Sequence, residues 1–297
     1  MRSVTFLCVL ASASAFVAPR DVHLTRSRTV GERRQFTGSQ TQIGAVTKEP
    51  SGLPLSAQVD YDALLKYHGS IVVEMALIGA FLKSLDVVLG ATGLEIPYWA
   101  TVPIFYGLSL KSRVFNPLRN DRPNMSKAVK GEGTSRGFGD RKMPSWTPPG
   151  VVFPIMWLLI IGPLRAYSSA LVYGADGHVF FHPAIMALMF HLSVGDVWNT
   201  INNIEKRYGA AVTGVLCVTA SALNAAYQYY TVDPLAGNLL GLPMIWFAVA
   251  TSLVTATWQL NPTTTVDGKE EVRDPFFPVV GAAKTEFAWF GNNDESP

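Results

Sequence analysis

Residues 145–173, SWTPPGVVFPIMWLLIIGPLRAYSSALVY, decide the fold of this chain. The run stays apolar for longer than the roughly 20 residues that a helix needs to cross a hydrocarbon layer, and it holds one charged residue, Arg165. Thr147 suits the N-cap of a helix, and Pro148 and Pro149 suit its first turn, where a missing N–H costs nothing. The pattern predicts a membrane-spanning helix.

The composition of the whole chain agrees with a membrane protein. Hydrophobic residues make up 48% of the 297 residues and charged residues 15%, against roughly 25% charged residues in soluble domains. The net charge of +2 gives no reason to expect a nucleic-acid partner. The two cysteines, Cys8 and Cys217, lie in different predicted segments, so no disulfide is expected. We therefore predict an all-α, polytopic transmembrane helix bundle that is embedded in the lipid bilayer.

Three more stretches are apolar enough to span a membrane, and two others are weaker candidates. The strong ones are 181–200, 210–230 and 237–260, and their short connections favour antiparallel neighbours. Residues 70–89 are apolar but carry three charges, so they predict either a span or an interfacial helix. Residues 94–111 form a short candidate span with two prolines and an uncharged centre. The prediction is therefore five or six spans.

The charged loops alternate in a way that orients the chain in the membrane. The loop at 112–144 holds eight Lys and Arg residues, and Lys206 and Arg207 follow two spans later. The loops at 174–180 and 231–236 hold none. This alternation is typical of the positive-inside bias. It places the long loop, Lys206, Arg207 and the C-terminal tail on one side of the membrane, which we call the basic side.

The two ends of the chain lie outside the predicted bundle. Residues 1–50 contain an apolar run, an Ala-Ser-Ala cleavage pattern and a basic, hydroxylated, acid-poor segment, so we predict a signal peptide plus a transit peptide. The junction ASAFVAP at 13–19 resembles leaders that direct proteins to the complex plastids of algae; a plain signal peptide is the alternative. Residues 51–96 form an N-terminal extension, 97–262 the membrane domain, and 263–297 a polar tail. We expect this tail to be mostly solvated, with Phe276 and Phe277 as the residues that can touch the surface of the bundle.

Two charged residues and a histidine lie deep in the predicted spans. Arg165 and Asp196 are expensive in a bilayer, so each must face the bundle interior or water. Either they pair with each other, or they make polar contacts to a ligand that carries a carboxylate. His191 lies at the depth of Arg165 and is either hydrogen-bonded scaffolding or an axial ligand of haem iron or chlorophyll magnesium. Asn199 continues this polar face toward the basic side.

The tryptophans gather toward the basic side. Trp146, Trp198 and Trp258 lie near that border, where an aromatic belt explains them. Trp157 lies a little deeper and Trp246 deeper still, which a belt does not explain. Flat aromatic walls suit flat apolar ligands. We therefore predict an aromatic pocket under the long basic loop, which would act as its lid and offer Arg and Lys side chains to ligand carboxylates.

Three motifs in these helices resemble those of the TspO/MBR family, the tryptophan-rich sensory or translocator proteins. They are W-x-P-P…F…W at 146–157, the single Trp198, and P…W…T…L…W-x-L-N at 243–261. The resemblance covers the predicted domain at 97–262. The ligand-binding residues that it implies are Trp146, Pro148, Pro149, Phe153, Trp157, Trp198, Trp246 and Trp258.

The resemblance implies both a fold and a function. The fold is a five-helix bundle that often forms a homodimer. This chain has either those five helices or one extra helix at its N-terminal end. Its pocket takes a porphyrin-type tetrapyrrole or a lipid-like small molecule. We expect that the protein requires no cofactor and that a porphyrin or haem can be bound. Sensing, trafficking or scavenging of such a ligand in a plastid membrane is the first interpretation. A light-dependent porphyrin-oxidising enzyme and a structural, pigment-holding subunit are the alternatives.

Two further sequence features concern the choice of ligand and the packing of the helices. Thr255–Gln259 stands where the family's sterol-recognition pattern has a Tyr and a following basic residue, so cholesterol is not the expected ligand. Ser221, Ala222, Ala225 and Ala226 form small-xxx-small pairs, which permit close helix approach either within the bundle or across a dimer.

Overall fold

The computed structural model describes residues 58–119 and 141–289, and helices make up most of them. The predicted leader at 1–50 and the centre of the long basic loop lie outside the described residues. The named elements are α1 (Tyr61–Thr92), α2 (Val102–Lys111), α3 (Val152–Ala175), α4 (Pro183–Ile204), α5 (Tyr208–Val232), α6 (Pro234–Leu260), β1 (Thr263–Val266) and β2 (Glu270–Arg273).

Helices α3 to α6 are long and apolar enough to cross a membrane. They correspond to the four strongest spans expected from the sequence. Their lengths of 22 to 27 residues give about 33–40 Å at 1.5 Å per residue, enough for a hydrocarbon layer of ~30 Å. The predicted fold, a polytopic bundle of transmembrane helices, is confirmed.

The start of α3 differs from the prediction. Thr147 does not cap the helix, because the N-cap position is held by Val151, four residues later. The Thr147 hydroxyl donates to the Pro144 carbonyl oxygen at 2.6 Å. Pro148 and Pro149 lie before the helix, and the Val152 N–H donates to the Pro149 carbonyl oxygen at 2.9 Å. The helix therefore begins at Val152, after the proline pair.

The middle of α3 is wound more loosely than an α-helix, with π-type geometry over Ile155–Ile161. Pro163 has no N–H to donate to a preceding carbonyl. The Leu158 carbonyl oxygen, five residues earlier, instead accepts the Tyr106 hydroxyl of α2 at 2.8 Å. Wider turns of this kind are frequent at functional sites, and this one ends one turn before Arg165.

Helix α6 is interrupted. Its first part, Pro234–Gly241, is followed by Leu242 and Pro243 before the helix resumes at Met244. Irregular backbone at membrane depth is tolerated where protein covers it or where it lines a cavity. Here Pro243 and Met244 line a small cavity inside the bundle.

Helix α1 runs along the full height of the bundle. At its start, the Asp60 carboxylate forms an ion pair with Arg207. We call the end of the bundle that holds Lys206 and Arg207 the basic end, and the opposite end the far end. Near its other end, the Asp86 carboxylate accepts the N–H groups of Phe180 and Phe181 at 2.7 and 2.9 Å, just before α4 begins. Helices α1 and α4 are therefore antiparallel neighbours. The charge pattern predicts this placement of α1 if α1 crosses the membrane as a sixth span. That sixth crossing stays a prediction.

The prediction that residues 94–111 form one membrane-spanning helix is wrong. Helix α2 has 10 residues and is about 15 Å long, half of a ~30 Å layer. A 3₁₀ turn at Ser112–Phe115 and an extended stretch continue the chain to Arg119, whose carbonyl oxygen accepts the Thr200 hydroxyl at 2.9 Å. Because α2 also packs on Phe180, the segment passes from the far end toward the basic end as a broken element.

The described part of the C-terminal tail is mostly exposed, as the sequence suggested, but a few of its residues dock on the bundle. Strands β1 and β2 form an antiparallel hairpin, and the chain beyond them lies against the basic end. Asp274 and Val279 are buried, and the Asp274 carboxylate accepts the Gly209 N–H at 2.7 Å. The Phe276 ring packs on Trp258 with ring centroids 4.6 Å apart. The contact of Phe276 agrees with the expectation from the sequence, whereas the partner of Asp274 was not predicted.

The small residues of α5 are used within the bundle. Ser221, Ala222 and Ala225 are all buried, beside side chains of α4 and α6. Close packing inside one chain therefore explains them without a dimer contact.

The main apolar core lies toward the far end of the bundle, and its large members include Tyr173, Phe180, Ile185, Leu188 and Tyr229.

Candidate functional site

Arg165 of α3 and His191 of α4 meet inside the bundle, in agreement with their equal predicted depth. The guanidinium Nη2 lies 2.6 Å from the imidazole Nε2, and both residues are buried. Arg165, Ser169 and Val172 are spaced by three or four residues, so they share the buried face of α3. The helix period therefore directs the charge inward.

The hydrogen bonds of His191 define its role. Because an arginine only donates, Nε2 is the acceptor, and the proton of the neutral ring lies on Nδ1. Nδ1 lies 3.1 Å from Ser221 Oγ and 3.2 Å from the Val218 carbonyl oxygen. Both ring nitrogens therefore have partners, and neither is available to a haem iron or a chlorophyll magnesium in this arrangement. This geometry favours hydrogen-bonded scaffolding over axial ligation.

Aromatic rings enclose the pair. The Arg165 guanidinium lies over the Trp157 ring, 5.3 Å from its centroid, in a cation–π geometry. The Phe247 ring of α6 is edge-on to His191 at 5.5 Å and to Trp157 at 6.2 Å between centroids. The charge is thus held by a neutral base and an aromatic face.

A small cavity lies beside the pair, where α3, α4, α5 and α6 meet. Its volume is about 10 Å³, close to the minimum for one water molecule. Arg165 and His191 supply its polar wall. Its apolar wall includes Leu188, Ala225, Leu240, Pro243, Met244 and Phe247.

The Arg165 cation has no carboxylate oxygen within 4.0 Å among residues 58–119 and 141–289. Asp196, the partner that the sequence suggested, accepts the Ser112 hydroxyl at 2.6 Å instead. It is near enough to act on Arg165 through space but forms no ion pair with it. A buried guanidinium without a direct counter-charge is costly. The other expectation, a contact to a ligand carboxylate, stays a prediction.

The deeper tryptophans pack against phenylalanines of the facing helix. Trp246 is edge-on to Phe153 with centroids 5.8 Å apart, and the adjacent Phe247 meets Trp157. These ring pairs fill the interface between α3 and α6. Among the described residues, the rings therefore occupy the space that we expected them to enclose.

The tryptophans at the basic end are anchors. Trp198 Nε1 donates to the Ala211 carbonyl oxygen at 3.0 Å, and Trp258 Nε1 donates to the Asp274 carbonyl oxygen at 2.9 Å. Trp146 is 50% exposed ahead of α3. The predicted residues that do not line the cavity are Trp146, Pro148, Pro149, Phe153, Trp157, Asp196, Trp198, Asn199, Trp246 and Trp258.

Sequence reasoning missed three contributors to the site. Phe247 directly follows Trp246, so the aromatic pair in sequence was the available signal. The Ser169 hydroxyl donates to the Arg165 carbonyl oxygen at 2.8 Å and lies 2.8 Å from the Tyr229 hydroxyl. Ser169 lies one turn after Arg165, a spacing that points to it. Nothing in the sequence distinguishes Tyr229 from the other tyrosines of α5.

The helices that form this site match a known protein family. The profile of the TspO/MBR family matches residues 124–259. This region belongs to the TspO/MBR family. The TspO/MBR match runs through α3, α4, α5 and nearly all of α6, so it contains the whole Arg165–His191 site. Helices α1 and α2 precede it.

Two relatives agree with the TspO/MBR assignment. Protein CrtK of Rhodobacter capsulatus is 28% identical over 128 residues, which are 42% of this chain and 78% of that protein. The tryptophan-rich sensory protein of Cereibacter sphaeroides is 25% identical over 126 residues, which are 42% of this chain and 76% of that protein. The resemblance read from three sequence motifs is confirmed, and the protein is an integral membrane protein.

Proposed function

We propose that the protein binds a porphyrin-type tetrapyrrole, or a similarly flat apolar ligand that carries carboxylates, for sensing, trafficking or scavenging. The observation that carries this proposal is the buried Arg165 cation, which lines a cavity beside aromatic rings. A tetrapyrrole offers an apolar ring face to Trp157 and Phe247 and a propionate to the guanidinium. Membership of the TspO/MBR family supports the proposal, because one relative is named a sensory protein.

The charge balance of the site favours an anionic ligand. An arginine at the centre of a bilayer is unfavourable by roughly 2.5–3.5 kcal/mol on insertion scales. His191 and Trp157 are neutral, so they offset only part of this cost. A ligand carboxylate would add charge-assisted, bidentate hydrogen bonds to the guanidinium. Binding of such a ligand should therefore also stabilise the fold.

The cavity must widen to admit a tetrapyrrole. Its volume of about 10 Å³ is far below the roughly 300 Å³ of the smallest common ligand pockets. Met244 in its wall has a flexible, adaptable side chain, and Pro243 lies at the break in α6. We propose that the first part of α6, Pro234–Gly241, moves at this break to open the cavity.

The deciding experiment compares two porphyrins that differ only in charge. Protoporphyrin and its dimethyl ester are titrated into the purified protein in lipid nanodiscs, with Trp fluorescence and porphyrin absorbance as readouts. Arg165→Met removes the cation and keeps a long apolar side chain. We expect it to weaken protoporphyrin binding about 10- to 100-fold, the effect of one hydrogen bond to a charged group, and to leave the ester unchanged.

Matched variants control this experiment. Lys269→Met removes the same charge from an exposed position in the hairpin turn and should change neither affinity. Trp157→Phe should reduce quenching more than Trp246→Phe, because Trp157 is the one that contacts Arg165. An equal effect of R165M on both porphyrins, or no binding by the wild-type protein, would contradict the proposal.

Illumination separates binding from light-dependent oxidation. The bound porphyrin is illuminated in air beside free porphyrin in empty nanodiscs. A spectrum that bleaches no faster with protein than without it rules out the enzyme. Faster bleaching that requires oxygen would favour the enzyme over a simple binding protein.

We also propose a plastid membrane as the location. Support comes from the composition of residues 1–50 and the ASAFVAP junction at 13–19. A fluorescent protein fused after residue 50 should accumulate in the plastids of an alga with complex plastids. Secretion of that fusion would contradict this location.

A further inference from the structure

Two adjacent phenylalanine rings project from the docked part of the C-terminal tail. Phe276 is 40% exposed and Phe277 is 36% exposed. The residues before and after them are buried and held: Asp274 accepts a backbone N–H of α5 at 2.7 Å, and the Val279 carbonyl oxygen accepts the Arg207 guanidinium at 3.1 Å. The bundle therefore fixes the tail on both sides of the two rings and leaves the rings themselves exposed.

This part of the tail lies on the face of α5 that the bundle leaves uncovered. Exposed residues of α5 recur every three or four positions and so share one stripe of the helix: Thr213, Leu216, Ala220, Leu223 and Tyr227. Because α5 is long and apolar enough to cross the membrane, such a stripe on a single bundle faces lipid. The Thr213 hydroxyl donates to the Phe276 carbonyl oxygen at 2.7 Å. The tail therefore covers the basic end of a lipid-facing stripe.

Two helices give the height of this segment in the membrane. The 25 residues of α5 extend about 37 Å, so each end projects about 4 Å beyond a hydrocarbon layer of ~30 Å centred on the helix. Thr213 lies five residues after Tyr208 and is therefore about 4 Å inside that layer. Trp258, whose ring centroid is 4.6 Å from that of Phe276, lies two residues before the end of the 27-residue α6 and is about 2 Å outside it. The tail segment between these two contacts is at the border of the hydrocarbon.

The chemistry of the segment suits this border. Phenylalanine is one of the side chains by which interfacial segments enter the boundary between headgroups and acyl chains. The Phe276 carbonyl oxygen has the Thr213 hydroxyl as its donor, so this backbone group does not depend on water. Arg273 is exposed, and its guanidinium lies over the Trp258 ring, 5.9 Å from the centroid. A guanidinium at this height is placed to donate to a lipid phosphate.

We propose that residues 273–278 form an interfacial anchor, in which the Phe276 and Phe277 rings insert into the headgroup–acyl boundary of the leaflet on the basic side and Arg273 binds a lipid phosphate. The bundle and the bilayer then hold the tail together, because Phe276 packs on Trp258 and its exposed part meets lipid. The anchor follows the TspO/MBR match at 124–259, and it does not depend on the proposed tetrapyrrole site.

Depth-dependent fluorescence quenching of the full chain in nanodiscs tests this proposal. Phe277→Cys is made together with Cys8→Ser and Cys217→Ser, and the single cysteine receives a bimane label. The lipids carry a nitroxide on the headgroup, high on the acyl chain or at its end. We expect the two shallow nitroxides to quench the label several-fold more than the chain-end nitroxide, and aqueous iodide to quench it poorly.

Two other labelled positions set the scale. The native Cys217 is exposed on α5, four residues deeper than Thr213, and as the single cysteine it should be quenched more by the chain-end nitroxide than by the headgroup nitroxide. Lys269→Cys, in the exposed hairpin turn, should be quenched by iodide and by none of the lipids. Iodide quenching of the F277C label at the level of K269C would show that the ring faces water. Protection of that label from both iodide and lipid would show that a second copy of the chain covers it. Either result would overturn the proposal.

Proteolysis of the tail is a second readout that needs no label. Arg207 and Lys66 hold the carbonyl oxygens on either side of Lys284, so trypsin cleavage after Lys284 reports release of the tail. In nanodiscs, Phe277→Ser should speed this cleavage about 10-fold, roughly the effect of losing one partly buried aromatic ring. Val280→Ser removes a similarly exposed apolar side chain beside the start of α1 and should stay within about twofold of wild type. Equal cleavage rates of F277S and V280S would contradict the anchor.

Discussion

Two buried arginines, Arg207 at the basic end and Arg165 inside the bundle, have opposite surroundings. Arg207 Nη2 lies 2.9 Å from Asp60, and Arg207 Nε lies 2.9 Å from Glu205. Further N–H groups of Arg207 donate to two carbonyl oxygens of the C-terminal tail, at 3.1 and 2.8 Å. This guanidinium therefore ties together the start of α1, the turn before α5 and the tail.

Arg165 has no such set of partners. Its guanidinium contacts the neutral His191 and the face of Trp157, and it lines a cavity. The comparison teaches that burial alone does not assign a role to a charge. A cation whose donors are taken by carboxylates and carbonyls is structural, whereas a cation held by neutral groups beside a cavity is available to an anionic ligand.

The sharpest way to break this comparison is the same substitution at both positions. Arg207→Met leaves Asp60 and Glu205 buried without their cation, so we expect a loss of about 3–5 kcal/mol in the free energy of unfolding. Arg165→Met removes a buried charge that has no carboxylate partner within 4.0 Å in the described part of the chain, so the change should stay within about 1 kcal/mol. Denaturant unfolding in detergent micelles measures both. Equal losses would show that Arg165 is structural after all.

Asp274 provides a pH test of the basic end. Burial raises its pKa from 3.8 to about 6, although N–H donors of Gly209 and Tyr208 and the charge of Arg207 act in the other direction. The docked tail therefore holds a proton that the free tail releases in this window. Docking should weaken as pH rises from 3.8 to about 6, by on the order of 3 kcal/mol in total.

The measurement uses a probe at the contact itself. Trp258 donates to the Asp274 carbonyl oxygen and stacks on Phe276, so its fluorescence and the protease sensitivity of the tail both report docking. Asp274→Asn removes the titrating group and should flatten the pH profile. A wild-type profile that is already flat would show that burial does not control this carboxyl group.

Gly209→Ala tests the fit of the tail with a smaller change. A Cβ atom there would lie 2.1 Å from the Pro275 carbonyl oxygen, so the tail must shift, at a cost of about 1–3 kcal/mol. Gly195→Ala in α4 is the matched control, because its Cβ would meet nothing within 4 Å and it should stabilise the helix by roughly 0.5–1 kcal/mol.

Porphyrin titration of both glycine variants sharpens the comparison further. If the basic end and the Arg165 site are independent, G209A should lower stability without changing porphyrin affinity. A parallel loss of affinity would show that tail docking controls the ligand site.

The spans at 181–200 and 210–230 were predictable because a long apolar run is a local property of the chain. The similar depth of Arg165 and His191 was also predictable, since the regular rise of a helix converts residue number into depth. Their direct contact was not predicted, because the sequence offered Asp196 as the partner of Arg165. The contact of Asp196 with Ser112 was not predictable either. It depends on where the segment after α2 leaves its helix and places Ser112.

The tail and Glu74 show where sequence reasoning ended. Most of the described tail is exposed, as its polar composition suggests, yet Asp274 and Val279 are buried against the basic end. Glu74 reads as an obstacle to membrane insertion, yet it is fully buried and accepts the Asn116 side-chain amide at 2.7 Å. Asp274 and Glu74 each accept a hydrogen bond from a residue that is distant in sequence, Gly209 and Asn116 respectively.

The sequence by itself determined that this is a membrane bundle of the TspO/MBR type, with the inward depth of its rare polar side chains, because hydrophobic length and helix period act over neighbouring residues. Only the tertiary structure decided which polar groups pair. It joined Arg207 to Asp60 and left Arg165 with His191. The physical reason is that a buried charge or hydrogen-bond donor is satisfied by whichever group the packed chain brings within about 3 Å.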